Sequence, residues 1–195
     1  SAVSGQTVTV DYAVTGTATG LGTDYTLAND TLTISANTPS GTIRIDNIIN
    51  DLLDEADETV IVTLSNPSNA TLGSDSVHTY TISDNDNAPV IDFNITSSSD
   101  AESVSFTDLT VDLSAASGQD VTIEFAVTGT ATGLGTDYTL ANDTLTITAG
   151  TTIGTIRIDN IIDDAADEAD ETVIVTLSNP SNATLGSDSV HTYTI

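Results

Sequence analysis

The chain has 195 residues, of which 29 are acidic and only two are basic, so its formal net charge is −27. A field of that sign repels nucleic acid and anionic membranes, because binding to either needs a basic footprint. Cysteine is absent, which excludes disulfides and thiolate metal sites. Hydrophobic content is 38% and the apolar residues alternate regularly, which indicates a folded chain and not a disordered acidic one.

Short alternating runs predict β-strands along the whole chain. In the first part of the sequence, such runs occupy residues 6–14, 31–34, 42–45, 59–64 and 76–82. Gly, Asn, Asp and Pro separate the runs, and no segment has a long helical period or approaches the roughly 18–20 apolar residues of a membrane span. The pattern predicts an all-β protein with about seven strands in each repeating domain.

The sequence repeats itself. Residues 1–82 align with residues 114–195 without a gap, at a constant offset of 113, and residues 54–82 recur unchanged as residues 167–195. A period of this length corresponds to a whole domain and not to a solenoid unit. Near-identical domains in series predict an array.

Two domains are predicted, at residues 1–86 and 87–195. The first begins without the strand-like segment that precedes Ser114 in the second, and the second stops before the motif Ser83–Asp86 that closes the first. We therefore expect the sequence to be a window of a longer ordered assembly.

Each repeat contains one acidic stretch, at residues 50–58 and 163–171. Two like charges 4 Å apart repel by about 4 kcal/mol at an effective dielectric of 20, so either water screens the stretch or a cation binds it. Ca²⁺ prefers carboxylate and carbonyl oxygens, and in a helical turn Asp51, Glu55 and Glu58 would share one face. The charge run alone leaves calcium and a solvated acidic loop as equal alternatives.

The order of motifs around these stretches resembles a Calx-beta domain. The residues that carry the resemblance are Gly16–Ala18, Asp24–Tyr25, Ile48–Asp51, Asp54–Glu58, Leu64–Pro67, Ala70–Gly73 and Tyr80–Asp86. The resemblance covers nearly the whole chain and implies tandem immunoglobulin-like antiparallel β-sandwich domains that bind Ca²⁺ at one end. Because Calx-beta domains occur in large bacterial surface proteins as well as in sodium–calcium exchangers, it also implies a bacterial surface or adhesin-type protein.

The resemblance further implies a set of calcium ligands in each repeat. In repeat 1 they are Asp24, Asp51, Glu55, Glu58, Asp84 and Asp86, and in repeat 2 they are Glu102, Asp137, Asp163, Asp164, Glu168 and Glu171. A backbone carbonyl near Leu53 or Ala166 is implied as well. Asn50 and Asn85 replace family aspartates, so we expect fewer or more weakly bound ions in the first site.

Nothing in the sequence indicates an enzyme. It contains no nucleophile–base arrangement, and its acidic pairs lie in tight loops with few aromatic residues to hold a sugar. We expect His78 and His191 to be packed or surface residues, since they have no cysteine partners for a metal. The join Ser83–Pro89 also resembles a cadherin linker, which would place calcium chemistry at a domain joint.

We expect a calcium-stiffened stalk, adhesin extender or filament, outside the cell or on its surface. Its partners would be neighbouring repeats of the same array, with possible assembly of copies into fibres, and neither nucleic acid nor an inserted membrane segment is expected. The alternatives are a calcium sensor, an adhesive module with few aromatic anchors, and a strand-exchanging subunit of a self-assembled extracellular fibre.

Overall fold

A computed structural model describes residues 3–163 and 169–195 of the chain, and every regular element in these ranges is a β-strand. No helix in the described residues is long and apolar enough to cross a membrane. The strands are β1 (Val8–Gly16), β2 (Asp30–Ile34), β3 (Glu58–Ser68), β4 (Val77–Ile82), β5 (Val90–Phe93), β6 (Ser97–Ser99), β7 (Phe106–Leu113), β8 (Val121–Gly129), β9 (Asp143–Ile147), β10 (Ile153–Asp159), β11 (Thr172–Ser181), β12 (Thr184–Leu185) and β13 (Val190–Thr194).

The chain forms two compact units, which we call unit 1 and unit 2. Unit 1 contains the described residues up to Leu52 together with Ala56–Asp84, and unit 2 contains Leu53–Glu55 and Asn85–Ile195. Each unit is described by itself below.

Unit 2 contains two sheets. Their strand orders are β10-β7-β5-β12 and β6-β13-β11-β8-β9, and buried apolar side chains from both sheets form one core. The predicted all-β, immunoglobulin-like sandwich is confirmed. Most neighbours are antiparallel, but β12 pairs with β5 and β13 pairs with β6 in parallel. Parallel neighbours require long crossover connections, and here each crossover spans most of the domain.

Alternation along the strands builds this core. On β11, the side chains of Val173, Val175 and Leu177 are buried, and the residues between them are partly exposed. On β10, Ile156 and Ile158 are buried in the same alternating way. Complete burial of an aliphatic side chain contributes roughly 1.5–3 kcal/mol, so these positions are the main source of stability in unit 2.

Unit 1 has a single sheet in its described residues, with the order β2-β1-β3-β4. The strand predicted at residues 42–45 does not form in unit 1, although the identical residues 155–158 are part of β10 in unit 2. The reason is pairing: β10 is hydrogen-bonded to β7 along seven residues, and the repeat offset places the counterpart of β7 before residue 1. No described strand of unit 1 pairs with residues 42–45, so their backbone groups join no ladder there.

The same residue types are therefore buried in one unit and exposed in the other. Tyr193 is completely buried, whereas its counterpart Tyr80 is 39% exposed. Ile161 is 6% exposed, whereas its counterpart Ile48 is 43% exposed. The buried core of unit 1 is correspondingly small and centres on Tyr25 and Val60.

This difference predicts unequal effects of one substitution at two matched positions. Tyr193→Ala should lower the free energy of unfolding of unit 2 by about 3–5 kcal/mol, as truncation of a buried aromatic residue does. Tyr80→Ala, within identical flanking sequence, should lower the stability of unit 1 by less than about 1 kcal/mol, because Tyr80 is already partly hydrated. Denaturant unfolding followed by amide exchange measures both values. Equal losses at the two positions would contradict the burial described here.

Candidate metal centre

In repeat 1, a hydrogen-bonded turn joins Asp24 to the start of the acidic stretch. The Asp24 N–H donates to the Thr19 carbonyl (2.9 Å), and the Thr19 N–H donates to the Asp24 carboxylate. The Ile49 N–H donates to the Asp24 carbonyl (2.8 Å). Because Ile49 lies two residues before Asp51, this bond brings two of the predicted ligands to the same edge of unit 1.

Repeat 2 has the same arrangement. The Thr132 N–H donates to the Asp137 carboxylate, and the Ile162 N–H donates to the Asp137 carbonyl (2.9 Å). Asp163 directly follows Ile162, so Asp137 and Asp163 lie on adjoining segments. The sequence places these aspartates 26 residues apart, and the backbone hydrogen bond joins their loops.

The other end of the acidic stretch meets the closing motif of the domain. Glu58 begins β3 and is paired with Ile82, the last residue of β4. Two residues later, the Asp84 N–H donates to Oδ1 of Asp57 (3.0 Å). Glu58 and Asp84 are therefore at the same end of the unit 1 sheet.

Glu171 in repeat 2 occupies the position of Glu58. It exchanges two backbone hydrogen bonds with Ile195, of 2.9 and 3.1 Å, so the register at the end of the sheet is preserved. Both acidic stretches thus end where the last strand of the repeat ends.

Unit 2 contains a cavity of about 360 Å³ beside its acidic stretch, and several of the residues that line it are acidic. The residues that line it are Asp100, Ala101, Glu102, Ser103, Asp163, Ala169, Asp170 and Ile195. The Ile161 N–H donates to the Ser105 carbonyl (3.2 Å), which fixes the loop that carries Glu102 beside the segment that carries Asp163. The structure therefore brings the predicted ligands Glu102 and Asp163 to one cavity.

Other predicted ligands are placed differently or lie outside the description. Glu55 and Asp86 belong to unit 2, whereas Asp24, Asp51, Glu58 and Asp84 belong to unit 1. The Glu55 side chain lies against Gly118, where a Cβ atom would be only 2.6 Å from it. Asp164 and Glu168, like the Ala166 carbonyl, lie outside the described residues.

The acidic stretch of repeat 1 does not form a helical turn. Residues 48–57 contain an isolated bridge and a bend but no helical residue. The spacing of Asp51, Glu55 and Glu58 therefore does not place them on one helical face. The stretch is instead bonded to the Asp24 turn at one end and to the closing motif at the other.

The sequence prediction missed three acids at these positions. Asp57 accepts the hydrogen bond from Asp84, and Asp100 and Asp170 line the cavity of unit 2. Asp57 and Asp170 are equivalent residues in the two acidic stretches, so the density of acids could have pointed to them. Asp100 lies only two residues before Glu102.

The available donors fit a hard cation. Oxygen atoms of carboxylates line the cavity, the chain contains no cysteine, and His191 is 2% exposed with both ring nitrogens engaged. Its Nε2 is 2.8 Å from Oγ of Ser98, and its Nδ1 is 2.7 Å from the Ile95 carbonyl oxygen. His78 is exposed, so both histidines are packed or surface residues as expected. This chemistry suits Ca²⁺ and does not suit zinc.

Convergence of the carboxylates is incomplete in the part of the chain that is described. There, no three His, Asp or Glu side chains are grouped so that they could hold a metal ion. Carboxylates that approach each other raise one another's pKa and repel, so full convergence requires a counter-charge. The described residues place the acidic segments next to one another, and the predicted set of calcium ligands stays a prediction.

Each of the two basic side chains pairs with an aspartate, and neither lines the cavity of unit 2. Arg157 forms a bidentate pair with Asp108 (2.7 and 2.9 Å), and its guanidinium lies 4.4 Å from the centre of the Phe106 ring. This hydrogen bonding lowers the pKa of Asp108. Arg44 pairs with Asp46 at 2.6 Å. Both arginines therefore already have an aspartate as their ion-pair partner.

Comparison with known families identifies the class of protein. The model of the Calx-beta domain family matches residues 2–86 and again residues 84–195, so two copies account for almost the whole chain. The chain belongs to the Calx-beta domain family, and the resemblance seen in the sequence is confirmed. A search of curated protein sequences finds no significant match.

Solved structures support the same fold. The apo-form Calx CBD1 domain is 24% identical, with a TM-score of 0.50, and the match covers 56% of this chain and 96% of that one. The CBD12 structure from CALX1.2 is 19% identical, with a TM-score of 0.51, and the match covers 100% of this chain and 89% of that one. At these identities the likeness establishes the fold.

The turn that carries Asp137 predicts a stability effect that does not depend on any metal. Asp137→Ala should destabilise unit 2 by about 1–2 kcal/mol in calcium-free buffer, because the Thr132 N–H loses its acceptor. Asp137→Asn keeps an acceptor oxygen and should retain most of the stability. Amide exchange at Thr132 reports the bond directly. The same exchange rate in all three proteins would show that the Asp137 side chain does not hold the turn.

Proposed function

We propose that the chain is a calcium-binding structural repeat of an extracellular stalk, adhesin or filament. The observation that carries the proposal is the cavity of unit 2, where carboxylates from the loop of residues 100–103 and from the acidic stretch line one space. Glu102, Asp163 and Asp170 are the described residues that would hold Ca²⁺, with Asp137 on the adjoining turn. When bound, Ca²⁺ would supply the positive charge that lets these carboxylates converge.

The charge balance of the chain supports this role. Two arginines against 29 acids leave nearly all carboxylates to be balanced from solution, and both arginines are already paired with aspartates. Carboxylate oxygens are the ligands that Ca²⁺ takes most readily, whereas Mg²⁺ keeps more of its water. Membership of the Calx-beta family supports calcium as the ion.

The proposal places the repeat outside the cell, and the calcium concentration there is compatible with it. Extracellular calcium modules with dissociation constants of about 10⁻⁴–10⁻³ M are loaded by the millimolar calcium outside cells. Near-identical copies in series favour a stalk over a calcium sensor. A sensor acts on one regulated partner, and further copies of the domain would only lengthen the chain. We place such repeats in a bacterial surface stalk, where calcium bound within each repeat would stiffen that repeat.

Removal of calcium should lower the melting temperature. At a calcium concentration 100 times the dissociation constant, binding stabilises the folded state by about 2.7 kcal/mol. For a domain of this size that is a shift of roughly 10 °C or more, at about 4–8 °C per kcal/mol. Calorimetric melting curves measure it when recorded in excess chelator and at that calcium concentration, which is about 10–100 mM for dissociation constants of about 10⁻⁴–10⁻³ M. Superimposable curves would exclude a structural calcium ion.

A matched pair of variants locates the ion. Glu102→Gln combined with Asp163→Asn should weaken calcium binding, measured by titration calorimetry, by at least about tenfold, because it removes two charged ligands. Glu124→Gln combined with Asp143→Asn changes the net charge equally on β8 and β9, outside the cavity, and should leave the affinity nearly unchanged. Equal weakening in both double variants would mean that only the overall charge attracts calcium.

A further inference from the structure

One acidic residue of the cavity in unit 2 is bonded to a buried tyrosine. Tyr193 on β13 is completely buried, and its hydroxyl donates a hydrogen bond to Oδ2 of Asp100 (3.4 Å). Asp100 in turn lines the cavity together with Glu102, Asp163 and Asp170. A buried phenol needs a hydrogen-bond partner, and here that partner is an acidic residue of the candidate metal centre.

The strand β13 holds Asp100 through its backbone as well as through its side chain. The Asp100 N–H donates to the Thr194 carbonyl (3.2 Å). Ser99, the last residue of β6, pairs with Thr194 in the parallel register of β6 and β13. Because neighbouring residues of one strand bond to the backbone and to the carboxylate of Asp100, β13 determines where that carboxylate lies.

A second ring on β13 makes the same diagonal contact with this segment. Tyr193 pairs with Ser98, so Asp100 lies two residues beyond the paired position, a distance that an aromatic side chain can span. Nε2 of His191 is 2.8 Å from Oγ of Ser98, which is again two residues beyond the position that faces His191 when the register is continued. A neutral serine hydroxyl therefore satisfies a buried ring in this arrangement, and the partner of Tyr193 does not need to be charged for that purpose.

The negative charge of Asp100 is unfavourable unless a cation offsets it. Glu102, Asp163 and Asp170 line the same cavity, and like charges in one space repel one another. Oδ2 of Asp100 accepts the hydrogen bond from Tyr193, and a carboxylate has a second oxygen and further lone pairs with which it can bind a cation. Residues that orient a metal-binding carboxylate by a hydrogen bond are a general feature of metal sites, and Tyr193 stands in that relation to Asp100.

The hydroxyl of Tyr193 is a hydrogen-bond donor at neutral pH. Burial, together with the negative charge of Asp100 and the hydrogen bond to it, raises the pKa of Tyr193 to about 12, so the hydroxyl keeps its proton. The ring of the same side chain belongs to the hydrophobic core of unit 2. Tyr193→Phe therefore removes the donor and leaves the ring that fills the core, which separates the two contributions of this residue.

We propose that Asp100 supplies a further carboxylate to the calcium site of unit 2, and that Tyr193 is the positioning residue that holds this carboxylate at the cavity. The inference rests on the calcium-binding function proposed above. Tyr193 does not touch the ion. It acts through Asp100, because its hydroxyl ties one carboxylate oxygen to the core while the carboxylate group lines the cavity. The affinity of the site for calcium therefore depends on a residue of the hydrophobic core.

The test follows calcium binding to the full 195-residue chain through the backbone amide NMR signals of residues 100–103, which report on the cavity of unit 2. Asp100→Ala should weaken binding at least about tenfold, because it removes a charged ligand. Tyr193→Phe should weaken it by about tenfold, as loss of a residue that orients a ligand does. In calcium-free buffer, Tyr193→Phe should also speed amide exchange at Asp100. The matched control is Tyr80→Phe, which removes the same atom from the equivalent residue of unit 1 and should leave the affinity of this site unchanged.

The double variant shows whether Tyr193 acts through Asp100. If it does, Tyr193→Phe should cause no further loss of affinity in a chain that already carries Asp100→Ala, because the two effects are not additive. A further loss in the double variant would mean that the hydroxyl acts through the stability of the core, and the positioning role would be wrong. Calcium binding of normal strength in both single variants would overturn this inference and leave the proposed function intact. Amide signals of residues 100–103 that do not respond to calcium in the unmodified chain would contradict the proposed function, and this inference with it.

Discussion

Electrostatic repulsion between carboxylates is the constraint that governs the acidic segments of each repeat. The chain carries 29 acids and two arginines, and both arginines pair with aspartates beside the sheets. The acidic segments are nevertheless attached to one another by backbone bonds, as between Ile49 and Asp24 or Ile162 and Asp137. The fold thus brings repelling groups close together and leaves their charge to be balanced from solution, which is the situation that a calcium site resolves.

Strand pairing is the second constraint, and the two repeats separate its effect from that of local sequence. Residues 41–46 and 154–159 are identical, yet only the second copy forms a strand, because β7 lies beside it. Tyr80 and Tyr193 have identical flanking residues, yet one is exposed and the other is buried. Propensity and alternation determine what a segment can become, and a neighbouring strand determines whether it does so.

The sequence predicted the all-β class, most strands and the family, because alternation, turn residues and a long internal repeat are local or nearly local signals. It also predicted that Asp24 and Asp51, and likewise Asp137 and Asp163, belong to one site, and the backbone bonds place these pairs on adjoining segments. It did not predict the absence of the strand at residues 42–45, which depends on a partner more than 40 residues away in the repeat. The acidic stretch of repeat 1 likewise has no helical turn, and it is bonded to segments that are distant in the sequence. The partners of His191 lie 93 and 96 residues away, and no local pattern marks them.

The most direct test of the account is diffraction from crystals of the chain grown with millimolar calcium. Anomalous difference density beside Glu102, Asp163 and Asp170, at calcium–oxygen distances of about 2.3–2.6 Å, is the predicted result. The Asp137 turn should lie against the same ion. Well-ordered acidic loops without such density, in a chain that remains folded, would contradict the claim that calcium organises the end of each repeat.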